Sequence, residues 1–431
     1  MHAVVRPLGL FSLFLIQMTA LGGVKSWPAF AEYGAGAFFI YLAALLFFLI
    51  PVGCIAAELS SSHPEGLNVW MRKAFGTRIE LAASWLLWVQ NILWIPCALL
   101  FITTTLSHIF FPNHADNPVF CTLIALPLLW ILTLLNMLPV RVSALISAIG
   151  ALCGIFLPAI FIIFLGLNDK TPAAIPSLPT AVSWPLLSII VISLMGLEMP
   201  GAYGSDVKTP AKTYPKALSI ALLCLTILPL LGIYTLTLSI PSEDLTRVHG
   251  SIQAFAYLLD THHLSAYIPA LALCLAIGAI AVVNTWMLGP NKILSQAAQK
   301  IPALSLIKTT KSTLLLQAVF ISLVILGNLY LADALLVLPI LAAELYLCLY
   351  LMLFAAFLRL HHMPPVAKSF RLPGKTLSAL SLTLPAGGCA LIALICSFLA
   401  QDTLIAFFAI AAVIAFTSIL SVRNKHKPSP L

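Results

Sequence analysis

Charge is what this chain has least of. Only 14 Asp and Glu and 22 Lys and Arg occur among 431 residues, 8% of the total, where a soluble domain carries about 25%. So few charges cannot cover a water-exposed surface, which excludes an ordinary soluble fold. No Gly-x-x-x-x-Gly-Lys-[Ser/Thr] stretch is present, so pumping driven by a nucleotide has no phosphate cradle. The nine cysteines all fall in apolar stretches and none forms a Cys-x-x-Cys pair. That placement suits small buried hydrophobes better than a disulfide or a metal site. The apolar stretches also hold too few His, Asp and Ser residues to assemble a catalytic set at one membrane depth, so an intramembrane enzyme is not expected. The paired histidines, His262-His263 and His361-His362, fall in loops or at span ends and read as solvated. No metal and no cofactor is expected.

Hydrophobic residues, by contrast, make up 61% of the chain, and the mean hydropathy is +1.06. Twelve apolar segments are long enough to span a bilayer, each near the roughly 20 residues a helix needs. They cover 8–33, 35–57, 79–109, 119–138, 143–167, 183–204, 218–240, 266–296, 313–329, 334–358, 380–400 and 403–422. The fold class expected is therefore an all-α membrane protein of 12 transmembrane helices. No loop is large enough to fold alone, so residues 1–431 form one membrane domain. The first apolar segment is too long for a cleaved leader and lacks a small-residue cleavage site, so none is expected.

The net charge of +8 is a topology signal and not a nucleic-acid footprint. With the amino terminus in the cytoplasm, 19 of the 22 Lys and Arg fall on the cytoplasmic side. Only Lys170 and Arg247 fall in opposite loops, and Lys25 lies within the membrane. That asymmetry is what the positive-inside rule produces, and it places both termini in the cytoplasm.

Two spans are interrupted. The sixth runs into Met195-Gly196-Leu197-Glu198-Met199-Pro200-Gly201, a carboxylate beside helix breakers at membrane depth. A mid-span acid costs roughly 2.5–3.5 kcal/mol on insertion scales. Freed backbone groups are tolerated there only where they face a cavity or protein. The first span carries the matching interruption, Thr19-Ala20-Leu21-Gly22-Gly23-Val24-Lys25-Ser26-Trp27-Pro28. Each interrupted span opens a group of five, 8–167 and 183–358, and 380–422 adds two peripheral helices. Breaks at the same ordinal position of two halves point to a five-plus-five inverted repeat with a ligand held at the interface.

Several blocks together resemble the amino acid–polyamine–organocation transporters, and within them the bacterial glutamate/GABA antiporters. The blocks are Trp27-Pro28-Ala29-Phe30, Ile50-Pro51-Val52-Gly53 with Ala56-Ala57-Glu58, and Gly196-Leu197-Glu198 before the loop Thr209-Pro210-Ala211-Lys212-Thr213-Tyr214-Pro215. Trp286-x-x-Gly289-Pro290, Tyr346-Leu347-Cys348-x-Tyr350 and Phe370-Arg371-Leu372-Pro373-Gly374 follow in order. The resemblance implies a LeuT-type fold with an amino acid bound between the broken spans. It implies that the opened backbone at Gly22, Gly23 and Val24 receives the substrate carboxylate and that carbonyls around Met195, Gly196 and Leu197 receive the amino group. Asn284 then presents a side chain to the substrate, Tyr346 is a gating aromatic, and Glu198 serves gating and protonation. This chain departs from the antiporter pattern at Lys25, Val282 and Glu344, and few residues follow Val422.

Lys25 is the least expected residue. Its ammonium either holds an acidic group of the substrate or replaces a coupling cation, or else it pairs with Glu198 or Glu344 or reaches toward the outer vestibule. Glu344, an intramembrane acid, is a gating or proton-coupling candidate by default. Gln90 and Asn91 in the third span either face the cavity or hydrogen-bond between helices. The function expected is a secondary amino acid transporter of the bacterial inner membrane, working by alternating access through exchange or proton coupling. An acidic or neutral amino acid is favoured, with membrane lipid, protons and a second copy of the chain as the other partners and no nucleic acid. Sodium-coupled symport and an amino acid-sensing transceptor are the alternatives.

Overall fold

The computed structural model describes residues 8–415 apart from positions 35, 116, 169–183, 208, 241–250, 300, 331–333, 365–368, 375, 401–402, 405–406, 409 and 413. Ten helical stretches among these residues are long and apolar enough to cross a membrane. They correspond to the expected spans one to five and seven to eleven. The sixth is split into pieces too short to count, and the expected twelfth, 403–422, lies largely outside the described residues.

The first span is α1 (Leu10–Leu21), a 3-10 turn at Val24–Ser26 and α2 (Trp27–Ala31). The second joins α3 (Gly36–Ala44) to α4 (Ile50–Ser62) through a π turn at Leu45–Leu49. A short helix, α5 (Leu67–Phe75), leads into the 34-residue α6 (Thr77–Phe110) and then α7 (Pro118–Asn136). The fifth span is α8 (Val140–Ala151), a second π turn at Leu152–Phe156 and α9 (Leu157–Leu167). The sixth is α10 (Trp184–Ser193), followed after a break by a 3-10 stretch at Met199–Asp206. The remainder is α11 (Pro210–Ser239), α12 (Ser251–Thr261), α13 (Ile268–Ala298), α14 (Thr310–Gly327), α15 (Ala334–His361) and α16 (Thr376–Ala400).

Helices α6 and α13 lie side by side, with α8 packed on α13 and α15 between α6 and α16. Lipid gives apolar helices no hydrophobic reason to associate, so close approach depends on small residues. Gly154, inside the second π turn, touches Gly278 of α13 backbone to backbone: a Cβ there would fall 2.2 Å from the Gly278 Cα. The extra residue of a π turn presents this glycine where an ideal helix would carry it past. Outward, Leu123, Leu134, Ile160 and Phe164 are exposed, the apolar skin a bilayer requires.

The end of the bundle at which the described residues begin, at Leu8, is closed by polar contacts. Lys292 Nζ reaches Asp206 Oδ2 at 2.5 Å and lies over the Tyr203 ring, and Leu8 N–H donates to the Asp206 carbonyl at 2.6 Å. One sequence expectation is corrected at this end. His361 is not a solvated loop residue: α15 continues through it, it is buried, and its Nδ1 lies 2.8 Å from Glu58 Oε1. The second Glu58 oxygen accepts from the Leu372 N–H at 2.9 Å. Glu58 therefore ties both α15, through the histidine, and the segment before α16, through Leu372, to α4.

Candidate binding site

Both helix breaks are dictated by glycine. α1 stops because Gly22 turns sharply, and a Cβ on it would meet the Met18 carbonyl at 2.5 Å. In the sixth span Gly196 has φ +126°, a conformation L side chains avoid, and its vacant Cβ position faces the Trp286 ring at 2.9 Å. Any side chain at 196 would both strain the backbone and strike the indole.

Between the breaks lies a cavity of about 280 Å³, below the roughly 300–1,000 Å³ of drug-sized ligand sites and suited to a small metabolite. The first break supplies Gly23, Lys25 and Ser26 to its wall, and α10 with its break supplies Ile192, Ser193 and Met195. α6 adds Gln90 and Trp94, α13 adds Val282 and Trp286, and α15 adds Pro339, Ala342 and Tyr346. Trp286 is the centrepiece. Its Nε1–H donates to the Ala20 carbonyl at 3.2 Å, and its ring packs on Trp94 and Tyr346 at centroid distances of 6.1 and 5.5 Å. Behind the wall Thr285 Oγ1 contacts Thr19 Oγ1 at 3.3 Å and Ser147 Oγ at 2.8 Å, which fixes α1, α8 and α13 together.

Toward the amino-terminal end the cavity is floored by a carboxylate knot. Tyr346 donates its hydroxyl to Glu198 Oε1, and Tyr350 donates to Glu198 Oε2 at 2.5 Å. The Tyr350 oxygen in turn accepts from the Gly196 N–H at 2.6 Å. The two tyrosines stand one turn apart on α15, so both reach one acid. The knot thus joins α15 to the opened backbone of the sixth span.

Five of the residues singled out from the sequence meet on the cavity wall: Gly23, Lys25, Gln90, Met195 and Tyr346. Gly22 and Val24 line, with Gly23 and Lys25, an adjoining space of about 30 Å³. The N–H groups of Gly22, Gly23 and Val24 close local turns onto the carbonyls of Met18, Leu21 and Gly22. Gly196, Leu197 and Glu198 are buried off the wall. Asn284 is not brought to the cavity. It is fully buried, donates to Ser143 Oγ at 2.9 Å and accepts from Asn136 Nδ2 at 3.0 Å, because it points the opposite way from Val282 and Trp286 on α13. Glu344 also faces elsewhere, accepting from Ser397 at 2.8 Å and Thr403 at 2.6 Å. Lys25 pairs with neither acid among the described residues; its ammonium rests 4.8 Å from the Phe101 ring centroid, a cation–π contact. The sequence reading treated Trp286 and Tyr350 only as parts of motifs. The signal for Tyr350 was its spacing of four from Tyr346; nothing local marks Trp286 as the wall's centre.

A family model described as amino acid permease matches residues 8–425. An uncharacterized transporter of Legionella pneumophila is 31% identical over 396 residues, covering 86% of this chain and 85% of the relative. A glutamate/gamma-aminobutyrate antiporter of Lactococcus lactis subsp. lactis is 26% identical over 313 residues, 68% of this chain and 62% of its own. A probable agmatine/putrescine antiporter of the same organism is 26% identical over 300 residues, 67% and 64% of the two chains. Both antiporters therefore match over less than two thirds of their length.

Proposed function

The chain belongs to the amino acid permease family, and we propose that it carries an amino acid through a bacterial inner membrane by alternating access, using exchange or proton coupling. The observation that carries this reading is the cavity, which opens where both interrupted spans meet and whose wall residue Tyr346 is held by the buried Glu198. In this reading the substrate carboxylate displaces the short-range turns at Gly22, Gly23 and Val24, since a charged acceptor outcompetes a neutral carbonyl for the same N–H. The ammonium is received by carbonyls around Met195, Gly196 and Leu197.

The two breaks at matching ordinal positions support a five-plus-five repeat, 8–167 and 183–358, and the Lys and Arg asymmetry supports a cytoplasmic amino-terminal end. On that assignment the Asp206–Lys292 contact is the closed inner gate, and the cavity belongs to a state facing away from the cytoplasm. Glu198 is the coupling group because it holds both gating tyrosines, one of which also bonds the opened backbone at Gly196. Glu344 takes a structural role, fastening α15 to the peripheral helices through Ser397 and Thr403.

The test is counterflow in proteoliposomes loaded with mixed unlabelled amino acids. Accumulation of one labelled amino acid, lost in Glu198→Ala, is the expected result. Folded protein that accumulates no labelled amino acid would overturn the reading.

A further inference from the structure

The polar groups on the cavity wall are mostly spoken for. Ser26 Oγ donates to the Gly23 carbonyl and Ser193 Oγ to the Ile190 carbonyl, each at 2.7 Å. The Trp286 N–H and the Tyr346 hydroxyl are engaged as described above. Two groups stand apart. Gln90 is 5% exposed, yet its Nε2 has no acceptor among the described residues. Gln17 and Gln317 also carry a buried Nε2 without an acceptor among the described residues, but of the three Gln90 is the one on the cavity wall, where a bound molecule can supply the acceptor. Lys25 has no carboxylate among the described residues and leans on an aromatic face.

Both are donors, and they come from different sides. Lys25 enters from the first helix break, and Gln90 from α6. Both line the same cavity from different elements, so a bound molecule meets one donor from the first break and the other from α6. The described wall includes no Asp or Glu, and the nearest acid named above, Glu198, is screened by Tyr346 with both its oxygens already bonded.

From this the geometry points to Gln90 and Lys25 as a specificity-determining pair for an amino acid with a second carboxylate, carried at a net charge of −1. The inference rests on the transport reading and narrows its substrate class. A neutral amino acid is a zwitterion, so it would leave the site with the net positive charge of Lys25 and, with its carboxylate at the first break, the Gln90 donor orphaned, both unfavourable in a site that excludes water. A diamine would bring a cation toward Lys25 with no acid on the wall to receive it. A monoanionic acidic amino acid offers an acceptor at each end and cancels the charge of Lys25.

The experiment is counterflow of labelled glutamate, leucine and agmatine in proteoliposomes of wild type, Gln90→Leu, Gln90→Asn, Lys25→Met and Lys25→Arg. Wild type should take glutamate in preference to both others. Gln90→Leu should raise the KM for glutamate roughly tenfold or more, the scale of one hydrogen bond to a charged group, and lower the glutamate-to-leucine ratio. Gln90→Asn should recover part of the loss. Lys25→Met should reduce glutamate uptake and ease entry of agmatine, and Lys25→Arg should keep the anionic preference. A purely structural role would lower all substrates in parallel and leave the ratios fixed, which would overturn the inference. Wild-type protein that prefers leucine or agmatine would also overturn it while leaving the transport reading intact. Folded protein that moves none of the three, nor any other amino acid, would remove both.

Discussion

Deleting a single oxygen atom tests the knot beneath the cavity. Tyr350→Phe keeps a ring that packs against Tyr346 at 5.1 Å, Phe48 at 5.6 Å and Phe354 at 5.9 Å between centroids. It removes the hydroxyl that donates to Glu198 Oε2 and accepts from the Gly196 N–H. One substitution therefore orphans two buried groups on opposite sides of the missing atom. A hydrogen bond to a carboxylate contributes roughly 1.5–3 kcal/mol and a neutral one roughly 0.5–1.5, so the conformation with the knot formed should lose about 2–4 kcal/mol. At 1.4 kcal/mol per decade that is roughly 30-fold to several hundred-fold in the balance between conformations. Tyr346→Phe removes the bond to Glu198 Oε1 and keeps the Gly196 contact of Tyr350, so it should cost less, about 1.5–3 kcal/mol. The assays are thermal unfolding in detergent and the initial rate of counterflow. Tyr350→Phe protein that unfolds at the wild-type temperature and transports at the wild-type rate would refute the reasoning. A larger effect from Tyr346→Phe than from Tyr350→Phe would count against the double role of the Tyr350 hydroxyl.

Three further outcomes follow from the same geometry. Glu198→Gln preserves the shape of the acid but cannot change charge, so its transport rate should stay flat across the pH range in which the wild-type rate changes; parallel profiles would sink the coupling role. Gly154→Ala drives a methyl group into Gly278 and should lower stability by about 1–3 kcal/mol, the usual cost of overpacking, read as a fall in Tm; an unchanged Tm would mean that the two helices separate freely. Asn284→Ala breaks the contacts with Ser143 and Asn136 and should reduce stability by about 1–3 kcal/mol without changing the KM for substrate. A selective rise in KM would return Asn284 to the binding site.

The membrane spans were legible because a bilayer imposes length and apolarity on each helix separately, so a local window suffices. The breaks were legible for a related reason: Gly22-Gly23 and Gly196 interrupt apolar runs where lipid tolerates no freed backbone. The side-chain geometry of the site was less accessible. Asn284 sits two residues from Trp286, and which of them faces the cavity depends on the rotation of α13, fixed by Gly278 and Ala281 packing on α8 and the π turn after it. The two π turns themselves are a product of tertiary packing and leave no mark in Leu45–Leu49 or Leu152–Phe156. His361 was misplaced because its partner, Glu58, is 303 residues away, and no local pattern encodes such a pair. Glu344 stood out because an acid in a membrane usually is functional; its partners Ser397 and Thr403, distant in sequence, could not be read from the residues around it.

Lys25 also bears on how the cycle turns over. If, as proposed, the protein works by alternating access, changing its facing without substrate takes it through a closed state in which the ammonium has lost its water and has gained no anion. Dehydrating an unpaired charge costs several kcal/mol even after relaxation, and each 1.4 kcal/mol slows the return tenfold. A monoanionic substrate removes that penalty by cancelling the charge. Exchange should therefore run at least tenfold faster than net efflux into substrate-free buffer, which can be read by preloading proteoliposomes with labelled glutamate and diluting them with or without unlabelled glutamate outside. In Lys25→Met the empty cavity holds no charge, so the gap between the two rates should narrow even though both fall. Wild-type efflux that is equally fast in both buffers would show that the empty carrier returns freely, and would remove Lys25 as the reason for coupling.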